Sequence, residues 1–226
     1  MSMPAPIEPL GTSILAIMYF GDVVFAVSGA LTAARHRMDV LGFVLIGTIT
    51  GIGGGTTRDL LLGRTVWWTQ NPHELILCVV ASLAAFFWIT TDISRRRAMV
   101  WADALGLAAF GVVGCYIALQ FGAPFIVAVF MGVVTATGGG VIRDILTNTQ
   151  PMILCGQLYA TAALAGALTY ASLTYLALPE GMAELLAFLA AFALRAAAII
   201  FDIRMGPPGE FIRVGAPRDS SEDQES

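Results

Sequence analysis

Gly53-Gly54-Gly55-Thr56-Thr57-Arg58-Asp59 and Gly138-Gly139-Gly140-Val141-Ile142-Arg143-Asp144 repeat one pattern 85 positions apart, each inside a long apolar run. Outward from this pair the register holds without a gap. Gly21 meets Gly106, Phe25 meets Phe110, Gly29 meets Gly114, Ala33 meets Ala118, Gly47 meets Gly132, Thr50 meets Thr135 and Leu61 meets Leu146. Compositional bias aligns some Gly and Ala by chance, but it does not reproduce a spaced Gly-Gly-Gly-x-x-Arg-Asp. The chain therefore contains an internal repeat.

The solvent of this repeat follows from composition. Of 226 residues 57% are hydrophobic and only 12% charged, and the mean hydropathy is +0.79, far from the balance of water-soluble domains. The apolar residues fall into seven stretches, about 11–34, 40–63, 72–91, 99–119, 122–146, 152–177 and 182–202. Each is long enough to cross a ~30 Å hydrocarbon core as a helix. The expected fold is an all-α polytopic membrane protein with repeat A at about 11–91, repeat B at about 99–177 and a seventh helix at about 182–202. Residues 1–203 then form one transmembrane domain. The N-terminal residues lack a basic n-region, so the first span is expected to be retained.

All twelve basic residues are Arg, and their placement gives orientation by the positive-inside rule. Arg35 and Arg37 follow span 1, Arg95, Arg96 and Arg97 follow span 3, and Arg204, Arg213 and Arg218 follow span 7; the alternate loops carry only Arg64. An N-outside, C-inside topology satisfies every cluster and requires an odd number of spans. Three spans per repeat make the second copy enter from the opposite side, an inverted 3+3 repeat of the kind that places a solute pathway between its halves. Net charge of −4 comes largely from the acidic end of residues 204–226, which read as a disordered cytoplasmic tail.

Three consecutive glycines weaken a helix by roughly 1 kcal/mol each. Either they let two backbones approach closely, or they break the helix where exposed carbonyls line a wet cavity. Recurrence in both halves beside Arg and Asp favours broken, pathway-lining helices, with Gly53, Gly54, Gly55, Gly138, Gly139 and Gly140 at the breaks. Arg58 and Arg143 are costly in a membrane and must face protein or water. Neighbouring side chains diverge by ~100° around a helix, so Asp59 and Asp144 are expected to partner other segments rather than their adjacent Arg. Asp22, near the middle of span 1, and Arg195, near the middle of span 7, are further functional candidates, able to pair with each other or with the motif.

Ser28, Thr48, Thr50, Thr135 and Thr137 offer oxygens to a passing ion, although back-bonding to the i−4 carbonyl competes. Trp67, Trp68 and Trp101 suit interfacial belts. Cys78, Cys115 and Cys155 read as buried small apolar residues with no metal-ligand spacing. No nucleophile–base pair, metal set, cofactor motif or nucleic-acid patch is evident. Gly51-Ile52-Gly53-Gly54-Gly55-Thr56 lacks the glycine spacing of a dinucleotide loop. Neither an enzyme nor a resident cofactor is expected.

Over residues 10–203 the sequence resembles the prokaryotic trimeric intracellular cation (TRIC) channels. The resemblance rests on Phe25-Ala26-Val27-Ser28-Gly29-Ala30, Gly53-Gly54-Gly55-Thr56-Thr57-Arg58-Asp59-Leu60, Asp103-Ala104-Leu105-Gly106 with Phe110, and Thr137-Gly138-Gly139-Gly140-Val141-Ile142-Arg143-Asp144. It implies a homotrimer in a bacterial inner membrane, one hourglass pore per protomer, helices 2 and 5 kinked at the triplets, and permeation of K⁺ and of Na⁺. The animal members carry a basic pore residue and a phosphoinositide; this chain has no Lys, so no lipid site is carried over. The same pattern has been grouped with glycine transporters, so a secondary carrier of a small zwitterion stands as the alternative, and a transport-free scaffold as a third reading.

Overall fold

The structure is a computed structural model that describes residues 11–88, 92–155, 158–204 and 213–214, with 92–95 and 213–214 described by backbone alone. Eight helices are described: α1 (Thr12–Arg35), α2 (Val40–Leu61), α3 (Trp67–Gln70), α4 (His73–Trp88), α5 (Asp92–Gln120), α6 (Phe125–Leu146), α7 (Ala160–Tyr175) and α8 (Glu180–Ile200). Five of them, α1, α2, α5 from Arg96, α6 and α8, are long and apolar enough to cross a membrane. The third helix of each repeat is shorter: α4 and α7 have 16 residues each, about 24 Å at 1.5 Å per residue.

Span 6, expected as one stretch over 152–177, divides into a 3₁₀ turn at Met152–Leu154 and α7 from Ala160. The cause is local. Pro151 leads the turn, and the Met152 amide is held by the Asp144 carboxylate at 3.0 Å, which ties the chain back to α6. Beyond α8, Ile203–Arg204 pairs with Arg213–Val214 as a two-residue antiparallel ladder. Arg218 and the rest of the expected tail lie outside the described residues, as does the Arg95 side chain. Arg35, Arg37, Arg96 and Arg97 are exposed at helix ends.

The repeat is visible in how helices stop. The α1 and α5 helices end at residues in the left-handed region, Arg37 (φ 52°) and Gly122 (φ 78°), and α2 and α6 end at Gly63 (φ 67°) and Asn148 (φ 51°). Each pair is 85 positions apart, and each residue occupies the C-terminal position that terminates a helix by turning the chain.

Equivalent helices meet each other: α1 packs on α5 and α2 on α6, while α4 covers α1 and α2 as α7 covers α5 and α6. Contacts across this seam are reciprocal. A Cβ on Gly21 would lie 3.2 Å from the Phe110 ring, and one on Gly106 would lie 2.8 Å from Cγ of Phe25; the two rings sit 5.3 Å apart. Residue i touching j′ while i′ touches j is the signature of a two-fold relation. The core lies along this seam, around Phe25, Leu107, Phe110, Val112 and Val113. The α8 helix packs outside the repeat on α5 and α7, leaving Leu185 and Leu189 exposed beside Leu41, Phe87, Ile126 and Phe130 on other helices, an apolar exterior that suits lipid.

Candidate functional site

The α2 and α6 helices cross at the two glycine triplets. A Cβ on Gly54 would collide with the Thr135 carbonyl oxygen and one on Gly139 with that of Thr50, while a Cβ on Gly138 would stand 3.2 Å from Gly54 Cα. As the residue number rises from 50 to 54 its neighbour falls from 139 to 135, so the helices cross antiparallel. Both remain continuous α-helix through Gly53–Gly55 and Gly138–Gly140. The expected helix breaks are absent, and close approach of two backbones explains the small residues instead. Thr50 and Thr135 are fully buried at the crossing, and each hydroxyl donates to its i−4 carbonyl, Ile46 at 2.6 Å and Met131 at 2.7 Å. Thr137 does the same toward Val133 at 2.9 Å, and Thr48 is buried.

Four residues beyond the crossing glycines, about 6 Å along each helix, stand Arg58 and Arg143. Because the helices are antiparallel, the two guanidinium groups fall on opposite sides of the crossing and head two separate polar clusters.

In both clusters Arg bonds its adjacent Asp, contrary to the expectation from helical spacing. Arg58 Nε donates to Asp59 Oδ1 at 2.9 Å and Arg143 Nε to Asp144 Oδ1 at 2.8 Å. The long Arg side chain folds back around the end of the helix, where the third glycine of each triplet leaves room: a Cβ at Gly55 or Gly140 would lie 3.6 Å from the guanidinium. The second carboxylate oxygen does reach another segment. Asp59 Oδ2 accepts the Trp67 amide at 3.0 Å, as Asp144 Oδ2 accepts that of Met152. Each Asp thus ties its Arg to the connection that follows the helix.

The clusters differ in everything around these pairs. Arg143, fully buried, also donates through Nη1 to Asp103 Oδ1 and to Ser28 Oγ, both at 2.7 Å, and Ser28 Oγ lies 3.4 Å from the Met99 carbonyl. Arg195 completes this side, its guanidinium 5.1 Å over the ring of Tyr159. Of the two partners left open by sequence, Asp22 and the repeat motif, it stands with the Arg143 and Asp103 cluster. Tyr159 reaches the triplet itself, since a Cβ on Gly140 would lie 2.7 Å from its hydroxyl.

On the other side Asp59 is met by a second guanidinium, Arg64 Nε at 3.6 Å. Trp68 Nε1 donates to Thr56 Oγ1 at 2.9 Å, so Trp67 and Trp68 are latched to α2 in addition to being sited at a helix end. Asp22 and Glu74 are buried here, at 1% and 7% exposure. With Arg58, Asp59 and Trp68 they line a pocket of about 10 Å³, roughly the space of one water.

Asp103, Tyr159, Arg64 and Glu74 received no site role from sequence. Asp103 and Glu74 carried one available signal, an acid inside or at the edge of an apolar run. Cys78 and Cys115 are buried as expected, whereas Cys155 is half-exposed, because it follows the 3₁₀ turn rather than lying within a helix. A wider groove of about 440 Å³ between α1 and α8 is apolar apart from Ser13 and Glu184.

Two antiparallel helices crossing at glycine, related by a reciprocal two-fold and flanked by a buried Arg–Asp cluster on each side, define an α-helical membrane protein of the inverted-repeat class. The chain belongs to the family whose sequence model is described as "Glycine transporter", which matches it twice, over residues 15–90 and 100–175. Those two segments are the two repeats. Among curated relatives, the inner membrane protein YadS of Escherichia coli K12 is 36% identical over 191 residues, covering 82% of this chain and 91% of that one. A membrane protein of Vibrio cholerae is 39% identical over 165 residues, covering 70% and 67%.

The chain is also similar to solved TRIC channels. A TRIC trimeric intracellular cation channel orthologue from Rhodobacter sphaeroides is 44% identical with a TM-score of 0.83, covering 85% of this chain and 100% of that one. A structure described for conductance through TRIC cation channels is 36% identical with a TM-score of 0.76, covering 89% and 98%. A prokaryotic TRIC channel in 0.5 M KCl is 31% identical with a TM-score of 0.77, covering 84% and 96%. This chain is a multi-pass bacterial inner-membrane protein with the TRIC fold.

Proposed function

We propose that the protein is a monovalent cation channel, chiefly for K⁺ and also for Na⁺, assembled as a homotrimer with one pathway per protomer. In this reading all seven helices from α1 to α8, the short α3 excepted, span the membrane with the N-terminus outside and the C-terminus inside. The observation that carries it is the pair of buried charged clusters on opposite sides of one glycine crossing, in a chain 31–44% identical to TRIC cation channels along most of its length.

The pathway runs beside the α2–α6 crossing. Gly53, Gly54, Gly55, Gly138, Gly139 and Gly140 keep the two helices close enough to slide or tilt, and Thr50 and Thr135 mark the constriction. Arg58–Asp59 and Arg143–Asp144 act as paired gates whose charges neutralise each other while closed, so that no bare guanidinium faces a cation. Asp22, Ser28 and Arg195 contribute polar groups along the same route. Moving one charge fully across 100 mV supplies ~2.3 kcal/mol, comparable to one hydrogen bond to a charged group, so voltage alone is sufficient to release one Asp144 contact.

A second reading, secondary transport of a small zwitterion such as glycine, is favoured by membership of a family described as "Glycine transporter". Liposomes separate the two. A channel passes ⁸⁶Rb⁺ down its gradient without saturation and gives no glycine counterflow; saturable, counterflow-competent glycine uptake with no Rb⁺ flux supports the carrier and contradicts the channel.

A further inference from the structure

We infer that Asp22 and Glu74 together hold one alkali cation in the pocket beside Arg58. The two clusters differ in charge. On the Arg143 side two carboxylates, Asp103 and Asp144, stand with two guanidinium groups, Arg143 and Arg195. On the Arg58 side three carboxylates, Asp22, Asp59 and Glu74, stand with Arg58 and Arg64. One negative charge there has no counter-charge among the described residues.

Pairing uses up neither acid of the excess. Arg58 and Arg64 both engage Asp59, whereas Asp22 Oδ2 and Glu74 Oε1 are buried with no hydrogen-bond donor among the described residues. Both line the same pocket of about 10 Å³. An uncompensated carboxylate at membrane depth is expensive, and a single positive charge between the two removes that cost. No three His, Cys, Asp or Glu among the described residues group as metal ligands, and a divalent ion would over-neutralise a single excess negative charge. A monovalent ion fits the charge and the space.

Neither acid has a counterpart in the second repeat. The positions equivalent to Asp22 and Glu74 are Leu107 and Tyr159. The two-fold that governs glycines, caps and Arg–Asp pairs is broken here. Facing the pocket are Asp22 from α1, Arg58 and Asp59 from α2 and Glu74 from α4, with Arg64 from the following loop held to Asp59 at 3.6 Å and Cys78, on the next turn of α4, bonded to the Asp22 carbonyl at 3.7 Å.

This deepens the cation reading but is tested apart from permeation. Thermal unfolding of the purified protein in detergent is followed as KCl replaces N-methyl-D-glucamine chloride at fixed pH and ionic strength. The wild-type midpoint is expected to rise saturably, by about 5–11 °C when K⁺ is ~100 times its Kd. Asp22→Asn and Glu74→Gln are expected to abolish the response, and Glu184→Gln, in the separate α1–α8 groove, to retain it. A midpoint indifferent to K⁺ but rising as pH is lowered means that a proton is the counter-charge and overturns the inference. So does a K⁺ response that survives in both acid variants. Should either variant fail to fold, wild-type crystals soaked in Tl⁺ are expected to give an anomalous peak between Asp22 and Glu74, and its absence there is equally decisive. A silent bilayer with glycine counterflow, from protein that keeps its K⁺ response, contradicts the channel alone, while conduction without a K⁺ response contradicts this site alone.

Discussion

Gly54 lies so close to Thr135 that a methyl group added to it would overlap the Thr135 carbonyl oxygen. The same holds one repeat later for Gly139 and Thr50, so the seam between the halves is held by backbone against backbone. Gly54→Ala and Gly139→Ala are therefore expected to destabilise the protein by about 1–3 kcal/mol each, the usual cost of overpacking. Gly55→Ala places its methyl 3.6 Å from the Arg58 guanidinium, an ordinary contact, and is expected to be near neutral. Thermal unfolding in detergent checks this; equal losses at all three positions mean that the triplet serves backbone freedom instead.

Arg143 bonds two carboxylates while Arg58 shares its single partner with Arg64. Arg143→Met leaves both Asp103 and Asp144 buried without their guanidinium, for a loss of about 3–5 kcal/mol. Arg58→Met leaves Asp59 with Arg64 and is expected to cost less. A double-mutant cycle of Arg143→Met with Asp103→Asn is expected to show a double loss smaller than the sum of the singles. Strict additivity contradicts the pairing.

The Trp68–Thr56 bond latches the short α3 to α2. Trp68→Phe and Thr56→Val are each expected to cost about 1 kcal/mol, and the double variant no more than the larger single. If the two costs add, Trp68 contributes through burial rather than through its indole N–H.

Asp144→Asn retains an oxygen for the Met152 amide but removes the charge that meets Arg143. If release of this contact accompanies opening, the variant shifts open probability to weaker voltages in single-channel records. Unchanged open probability at every voltage contradicts a gating role for Asp144.

Much of this architecture was legible in the sequence because a repeat constrains two places at once. The identities from Gly21 to Leu61 and Gly106 to Leu146 locate the repeated helices and both Arg–Asp motifs, whereas which helices pair comes from the structure. At the glycine triplets helix propensity alone argues for a break, yet the carbonyls of Thr50 and Thr135, remote in sequence, fill the space that side chains would occupy. Spacing around an ideal helix also failed for Arg58–Asp59 and Arg143–Asp144, because it ignores how far a guanidinium folds back over a glycine. Glu74 and Tyr159 were missed for another reason. They occupy equivalent positions with unlike chemistry, and a search for similarity between halves passes over the places where the halves differ.

The central claim, a cation-selective pathway, is tested most directly by the reversal potential of the purified protein in a planar bilayer with unequal KCl on the two sides. Unitary current steps that reverse near the K⁺ equilibrium potential are expected. Steps reversing near the Cl⁻ potential contradict it, and so does an electrically silent bilayer from a preparation that catalyses glycine counterflow in liposomes.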